Sequence, residues 1–343
     1  MKAVVVVEKG KLAVVDDCPM PELGPYDALV RIDTCGFCNG TDARIINEQM
    51  TPKQGLQPYP TVLGHEAAGV IVEVGEKVRH LKVGEKHIRV SGVNPHGKPY
   101  TATHGQMAEY GYIRDFTAMY EDGLDVQPRK PSRLPDDFDL NDAGVLLPLC
   151  ECLSAAKNFN VNENTDVLVY GAGPMGLALM TYMRILGAKS ITCIDSVPER
   201  LEKALKVAKV DRVINFAEED KKEALAGCQF DRVVDAVGMS DIILEGSQYL
   251  RPFGVVCCLG VLRKGDSTVD LSLLKNNTFV QMLNFPYHEY DCLDENLDYI
   301  QRGLIDPKNF YSDVLPMDEV EKALELVLSK QTTKVILRVH EEE

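Results

Sequence analysis

The chain has 343 residues, 45% of them hydrophobic and 26% charged, which is the balance of a soluble globular protein too long for one ordinary core. Two domains are therefore expected. The net charge of −15 argues against nucleic acid or an anionic membrane surface as partner. No apolar run approaches the roughly 20 residues of a membrane span, so no membrane partner is expected either. The start, Met1-Lys2-Ala3-Val4-Val5-Val6-Val7, turns charged at Glu8 and Lys9 and lacks the features of a secretion signal. It reads as a first strand. A cytoplasmic location follows as the expectation, with the ten cysteines as buried residues or metal ligands and not disulfides.

Over residues 1–152, short alternating stretches such as Ala28-Leu29-Val30-Arg31-Ile32 and Ala68-Gly69-Val70-Ile71-Val72 are broken by turn signals at Gly75-Glu76, Gly84-Glu85 and Asn94-Pro95. This is the texture of an irregular, mostly-β domain. From 153 to 284, strand-like runs alternate with helical patterns. Val167-Leu168-Val169-Tyr170 precedes a Gly-rich turn and a helix over about 177–186. Ser190-Ile191-Thr192-Cys193-Ile194-Asp195 leads into a helix from Pro198 to Ala208, and strands follow near 213–215, 231–235 and 254–260. Such alternation predicts a doubly wound parallel sheet, so the fold class is α/β with a second, mostly-β domain. Residues 285–343 read as mostly helical and close on the strand Lys334-Val335-Ile336-Leu337-Arg338-Val339, expected to return to the first domain.

Gly171-Ala172-Gly173-Pro174-Met175-Gly176 fits G-x-G-x-x-G between a strand and a helix. The first glycine permits the tight turn, the second admits a pyrophosphate to the backbone, and the third lets helix and strand pack closely. The helix amino terminus then faces the phosphates. Asp195 ends the next strand, nineteen residues beyond Gly176, where a carboxylate can accept ribose hydroxyls and repel a 2′-phosphate. NAD is expected, with Ser196 and Arg200 as the signal for NADP.

Cys35-Gly36-Phe37-Cys38 resembles C-x-x-C, but no second pair lies near it. The useful grouping is Cys38 with Gly64-His65-Glu66. A thiolate, an imidazole and a carboxylate can hold zinc and leave one position open. Taken singly, Cys38 also fits a core thiol and His65 a hydrogen-bonded turn residue.

With its flanks, this grouping resembles the zinc-containing medium-chain dehydrogenase/reductase superfamily. The resemblance rests on Cys38 followed by Thr41-Asp42, on the stretch from Pro60 to Gly69 around Gly64-His65-Glu66, and on Gly75-Glu76-Lys77-Val78 and Val83-Gly84-Glu85. It continues through His104-Gly105-Gln106-Met107-Ala108-Glu109-Tyr110, the Gly-rich turn and Lys334-Val335-Ile336-Leu337. It implies a GroES-like catalytic domain in two parts, 1–152 and 285–343, around a Rossmann domain. It makes Cys38, His65 and Glu66 the metal group, with the Glu66 carboxylate closest to the polyol, sugar and threonine dehydrogenase branches. Asp42 would hold the ring nitrogen of His65 that faces away from zinc. Thr41 would relay the substrate proton, Asn39 and Lys334 would lie on the cofactor side, Met175 beside the nicotinamide, and Leu259-Gly260-Val261 along its amide edge. A homodimer or homotetramer is implied, paired through an edge strand near 278–283.

Three departures qualify it. Two residues, Asn39 and Gly40, separate Cys38 from Thr41-Asp42 where relatives usually have one. Leu147 stands where many relatives carry a ligand-grade side chain, and Glu151 lies four residues on, one helical turn away. Glu151 could reach the metal, act as an acid/base or be a surface acid, with Cys150 the lesser candidate. No cysteine occupies 88–105, so one catalytic zinc and no structural zinc are expected. His87, His96 and His104 read as surface or loop histidines. The function expected is hydride transfer from a secondary alcohol, a small polyol or sugar-like substrate, to NAD. The alternatives are epimerisation or elimination through transient oxidation, and a non-catalytic binding protein on the same fold. A zinc-free quinone-reductase activity would leave Cys38 and His65-Glu66 without purpose.

Overall fold

The computed structural model describes residues 1–92, 100–102, 104–262, 264–266, 268–330 and 332–340. The turn at Asn94-Pro95 and His96 lie outside them. The chain forms two compact units, residues 1–147 with 311–343, and residues 148–310.

The first unit is organised by the strand Asp27–Gly36. Its residues alternate buried and half-buried along most of its length, the period-two pattern of a pleated strand. Glu66–Val74, Tyr110–Arg114 and Val335–Arg338 all pair with it antiparallel. Lys86–Ile88 and Asp313–Pro316 extend this sheet on its two sides. The register between Asp27–Gly36 and Glu66–Val74 is bulged. At Gly69 an added Cβ would come within 2.0 Å of the Arg31 carbonyl oxygen, so no larger residue fits there. A second sheet runs Lys11–Val15, Ala3–Glu8, Thr61–Val62, Thr101–Ala102. Val4, Val6, Val30, Ile32, Phe37 and Leu63 share one buried cluster with Val335 and Leu337 from the far end of the chain.

The second unit carries six parallel strands in the order Arg212–Asn215, Ser190–Asp195, Asp166–Tyr170, Phe230–Asp235, Leu250–Cys258, Phe279–Met282. Numbered along the chain, this is the order 3-2-1-4-5-6 of a dinucleotide-type sheet. Asp166–Tyr170 is buried at every position, as a strand covered on both faces must be. Phe279–Met282 is the edge strand, with Phe279, Val280 and Met282 exposed. Among the described residues no helix is long and apolar enough to cross a membrane.

Two expectations, the helix from Pro198 and the placement of His87, need correction, and the compact units divide at points other than the expected domain bounds. The helix from Pro198 is α-helical only over Pro198–Lys203. Ala204–Ala208 widens to a π turn, and Lys209 ends it in the left-handed region. The return to the first unit comes at Tyr311 and not at residue 285. Residues 285–310 stay with the second unit because Asn296, fully buried on the helix Leu293–Gln301, accepts a hydrogen bond from Tyr182 and donates to the Cys150 sulfur at 3.5 Å. Asn158 likewise donates to the Tyr287 carbonyl at 3.0 Å. The first boundary falls inside the helix Leu146–Asn158, at 147/148 in place of 152/153.

The other correction is His87. It is fully buried on Lys86–Ile88, with Nε2 3.4 Å from Glu85 Oε2, Arg133 on the far side of that carboxylate, and Nδ1 without a hydrogen-bond partner. Burial pushes its imidazole below the ordinary value, against the opposing pull of Glu85. A group harder to protonate in the folded than in the unfolded state adds stability above its unfolded pKa, and that stability is lost as pH falls. The unfolding midpoint should therefore drop as pH is lowered from 7.5 through about 6.5, the unperturbed histidine value, toward 5. A His87→Leu protein should lose less over the same interval. Equal losses in the two proteins would contradict this account.

Candidate metal and dinucleotide sites

In the first unit, Asp27–Gly36 ends in a buried Phe37 and delivers Cys38 to the start of the helix Thr41–Ile46. The Cys38 amide donates to Asp42 Oδ2 at 2.8 Å, and the Thr41 amide donates to Cys38 Sγ at 3.3 Å. Thr41 thus lies beside the thiol despite the extra residue. Gly64 comes next to the cluster with φ +92°, where an added Cβ would sit 2.5 Å from the Met107 nitrogen. Only glycine makes this turn, and it presents His65 and Glu66 together.

One ligand atom from each of Cys38, His65 and Glu66 lies within 4.8 Å of the others. Burial pushes the thiol of the neighbouring Cys35 well up, and that residue belongs to the core. Eight of the ten thiols are buried, and among the described residues none forms a disulfide. His65 Nε2 stands 3.9 Å from Glu66 Oε1, while Nδ1 faces the fully buried Asp42 Oδ1 at 3.4 Å. Neither His65 Nδ1 nor Asp42 Oδ1 completes a hydrogen bond, so the contact is an electrostatic one. Burial pushes the His65 imidazole down, but Asp42 and the Cys38 sulfur together outweigh it and leave the ring well above its ordinary value.

Sequence reasoning missed two neighbours. Lys334, 3% exposed, sets Nζ 2.5 Å from Glu66 Oε2 and 3.4 Å from the Phe37 carbonyl oxygen. Burial disfavours its charge, but Glu66 and then Cys38 restore it and raise its pKa. The structure thus commits its ammonium to the metal group's carboxylate. His104 lies in a loop and is exposed, as expected, but its ring centroid is 5.3 Å from that of His65 at an interplanar angle of 52°. Although the residue as a whole is exposed, crowding around its ring removes hydration, and this first, with the charge of His65 second, pushes the imidazole down to about 4.

In the second unit, Asp166–Tyr170 runs into Gly171 at φ +99°, and the helix Pro174–Ile185 begins with Gly173 as its N-cap. A Cβ on Gly176 would lie 1.9 Å from the Gly171 carbonyl oxygen, which fixes that glycine as the packing one. A Cβ on Gly173 would meet only Arg200 Nη1, at 3.8 Å, so the backbone there is open to a ligand. Asp195 Oδ2 accepts from the Ala172 amide at 2.7 Å, and Oδ1 accepts from Ser196 and Val197 at 2.7 and 3.0 Å. The Leu259 and Gly260 amides both donate to the Asp235 carbonyl at 3.0 Å, and Val261 is exposed. Met175 is half-buried, and its carbonyl accepts from Cys152 Sγ at 3.3 Å. The turn of helix carrying the half-buried Glu151 therefore runs beside the start of the dinucleotide helix. Asn39 is partly exposed, with a buried Oδ1 that has no hydrogen-bond partner.

One unit thus brings a thiol, an imidazole and a carboxylate together on a bulged β scaffold, and the other carries a Gly-rich strand–turn–helix on a parallel sheet. Residues 24–122 match the alcohol dehydrogenase GroES-like domain and residues 174–298 the zinc-binding dehydrogenase domain. The chain is 31% identical over 265 residues to L-idonate 5-dehydrogenase of Vitis vinifera, covering 74% of this chain and 71% of that one. It is 28% identical over 344 residues to the probable D-xylulose reductase A of Aspergillus fumigatus, covering 94% and 92%. The structure of benzyl alcohol dehydrogenase from Acinetobacter calcoaceticus superposes with a TM-score of 0.82 at 20% identity, over 99% of each chain. The chain belongs to the zinc-containing medium-chain dehydrogenase/reductase superfamily, in its alcohol and polyol dehydrogenase family.

Removing one partner of a buried ion pair strands the other charge, at about 3–5 kcal/mol. Lys334→Met should lower the unfolding free energy of zinc-free protein by that amount in a urea titration, because Glu66 is only 4% exposed. The double variant Lys334→Met/Glu66→Leu should recover most of the loss. If it recovers none, Lys334 matters through packing and not through charge.

Proposed function

We propose that the protein is a zinc-dependent, NAD-linked dehydrogenase that oxidises a secondary alcohol of a small polyol or sugar-like substrate. The observation that carries this reading is the convergence of Cys38, His65 and Glu66, with Asp42 and Lys334 behind them. The donor set suits zinc: one sulfur, one nitrogen and one oxygen, with the open position of a catalytic site. The charge balance suits it as well. With Cys38, Asp42 and Glu66 negative, Lys334 positive and His65 neutral, two negative charges remain for a divalent cation. The open backbone at Gly173 and the helix that follows suit a pyrophosphate. When bound, zinc supplies a Lewis acid for the substrate hydroxyl and NAD the hydride acceptor.

The chain's own groups do the rest. Asp42 orients the His65 ring, so that Nε2 faces the cluster. Lys334 holds Glu66 in place and cancels part of its charge. The substrate proton leaves through the Thr41 hydroxyl, through water, or onto the Glu151 carboxylate. Asn39, Met175, Leu259, Gly260 and Val261 line the cofactor side, with Ser196 and Arg200 by the adenosine. Asp195 favours NAD over NADP by its charge. Glu66 as the carboxylate partner of His65, and the names of the relatives above, favour a polar substrate. One zinc per chain, a cytoplasmic setting and a homodimer or homotetramer complete the proposal. The pairing would cover the apolar edge strand Phe279–Met282.

A second reading keeps the site and changes the net reaction. The bond from Cys152 to Met175 sets Glu151 next to the dinucleotide helix, so an acid/base there could serve epimerisation or elimination with NAD returned. The test is metal content together with NADH formation over a polyol panel. Wild type should carry about one zinc per chain, and Cys38→Ala should lose it. Glu151→Gln should keep its zinc and turn over at least about 100-fold more slowly. Zinc loss in Glu151→Gln would make that residue a ligand. Polyol turnover without net NADH would select the second reading, and a wild type without zinc would sink both.

A further inference from the structure

One polar side chain beside the metal group has no task in the proposed chemistry. His104 is exposed and makes no hydrogen bond to the described residues, although its ring lies 5.3 Å from that of His65. Its place is set by the backbone on both sides of the His65 turn. The Gln106 amide donates to the Gly64 carbonyl at 3.1 Å and the Met107 amide to the Leu63 carbonyl at 2.8 Å. Gln106 Oε1 accepts from the Ala67 amide at 3.0 Å. Beneath the loop, a Cβ on Gly92 would come within 1.9 Å of the His104 carbonyl oxygen, so glycine lets the segment lie this close.

These backbone contacts hold the His104 ring beside that of His65. The acids of the cluster are already committed. Asp42 Oδ2 holds the Cys38 amide, and Glu66 Oε2 holds Lys334. An imidazole carries two ring nitrogens that can hydrogen-bond a hydroxyl group.

We infer that His104 is a specificity-determining residue, whose ring binds a second substrate hydroxyl next to the reacting carbinol, so that the site selects vicinal polyols over monohydric alcohols. The inference rests on the dehydrogenase reading of the cluster. A site that hydrogen-bonds a substrate hydroxyl discriminates strongly against an analogue lacking it.

The test compares xylitol and propane-1,2-diol with propan-2-ol, using zinc-loaded wild type, His104→Phe and His104→Gln with NAD. Phenylalanine keeps a ring and removes both nitrogens, whereas glutamine keeps a donor and an acceptor. His104→Phe should lower kcat/KM for the two polyols about 10- to 100-fold and leave propan-2-ol within about 2-fold. His104→Gln should recover most of the loss. Calorimetric binding of xylitol to the zinc-loaded protein should weaken in His104→Phe by a comparable factor, with zinc content unchanged. An equal fall on diol and mono-alcohol, or no fall on either, overturns the assignment and leaves the dehydrogenase reading standing. A wild type that carries zinc and NAD but oxidises none of the three removes the reading itself, and the inference with it.

Discussion

The ion pair between Glu66 and Lys334 is the interaction on which the candidate metal group depends. Two charges removed from water must be matched closely, because desolvation of each costs several kcal/mol. Here the ammonium and carboxylate meet at 2.5 Å in the interior of the first unit. Without Lys334, Cys38, Asp42 and Glu66 would gather acidic groups around His65 as the one basic partner. With it, a cation stands beside the cluster, whose three donor atoms lie within 4.8 Å of one another.

That pair is assembled by strand register. Val335–Arg338 lies antiparallel to Asp27–Gly36 with Ile336 opposite Gly36, and the Phe37 amide donates to the Val335 carbonyl at 2.8 Å. Lys334 is thereby set beside the segment that delivers Cys38. On the other flank of Asp27–Gly36, Glu66 pairs with Gly36 as the first residue of its own strand. One strand therefore fixes both members of the ion pair and the thiol. A slip of one residue would turn the side chains of the slipped strand to the opposite face. The bulge at Gly69 and the left-handed turn at Gly64 are the local devices that allow this register, and at both the space for a Cβ is already taken by backbone.

The readable parts of the sequence were those whose signal is local. The Gly-rich turn, its strand and its helix lie within about twenty consecutive residues, and hydrophobic runs interrupted by helices predict a parallel sheet from the need to cover two faces. Cys38 and Gly64-His65-Glu66 were legible because a sulfur, a nitrogen and an oxygen donor stood in a recognisable flank. The parts that were not legible depend on distant pairing. Lys334 opens a closing strand and by resemblance belongs to the cofactor side; only pairing with a strand from the other end of the chain brings it, buried, to Glu66. His104 and His87 differ in sequence only by their neighbours, yet one points out of a loop against His65 and the other is enclosed beside Glu85. The return to the first unit at Tyr311 was hidden for the same reason, because the buried Asn296 ties its helix to Tyr182 and Cys150 through single polar contacts that leave no periodic trace.

Asp195 shows how far a motif can be carried. Its position predicts a partner for ribose hydroxyls, and the structure gives its two oxygens to three backbone amides. A carboxylate has about four acceptor positions, so three are taken before a ligand arrives. The bond to Ala172 ties the end of the second strand to the Gly-rich turn, which makes Asp195 a brace for the pyrophosphate turn in its own right. On the proposed reading, a ribose that engages both oxygens must compete with that brace or use the last free position. A 2′-phosphate would bring further negative charge against a carboxylate held in place by its amides. On that reading the charge of the amide-bound carboxylate would favour NAD, and Arg200, beside the Gly173 backbone, is the group a 2′-phosphate would need.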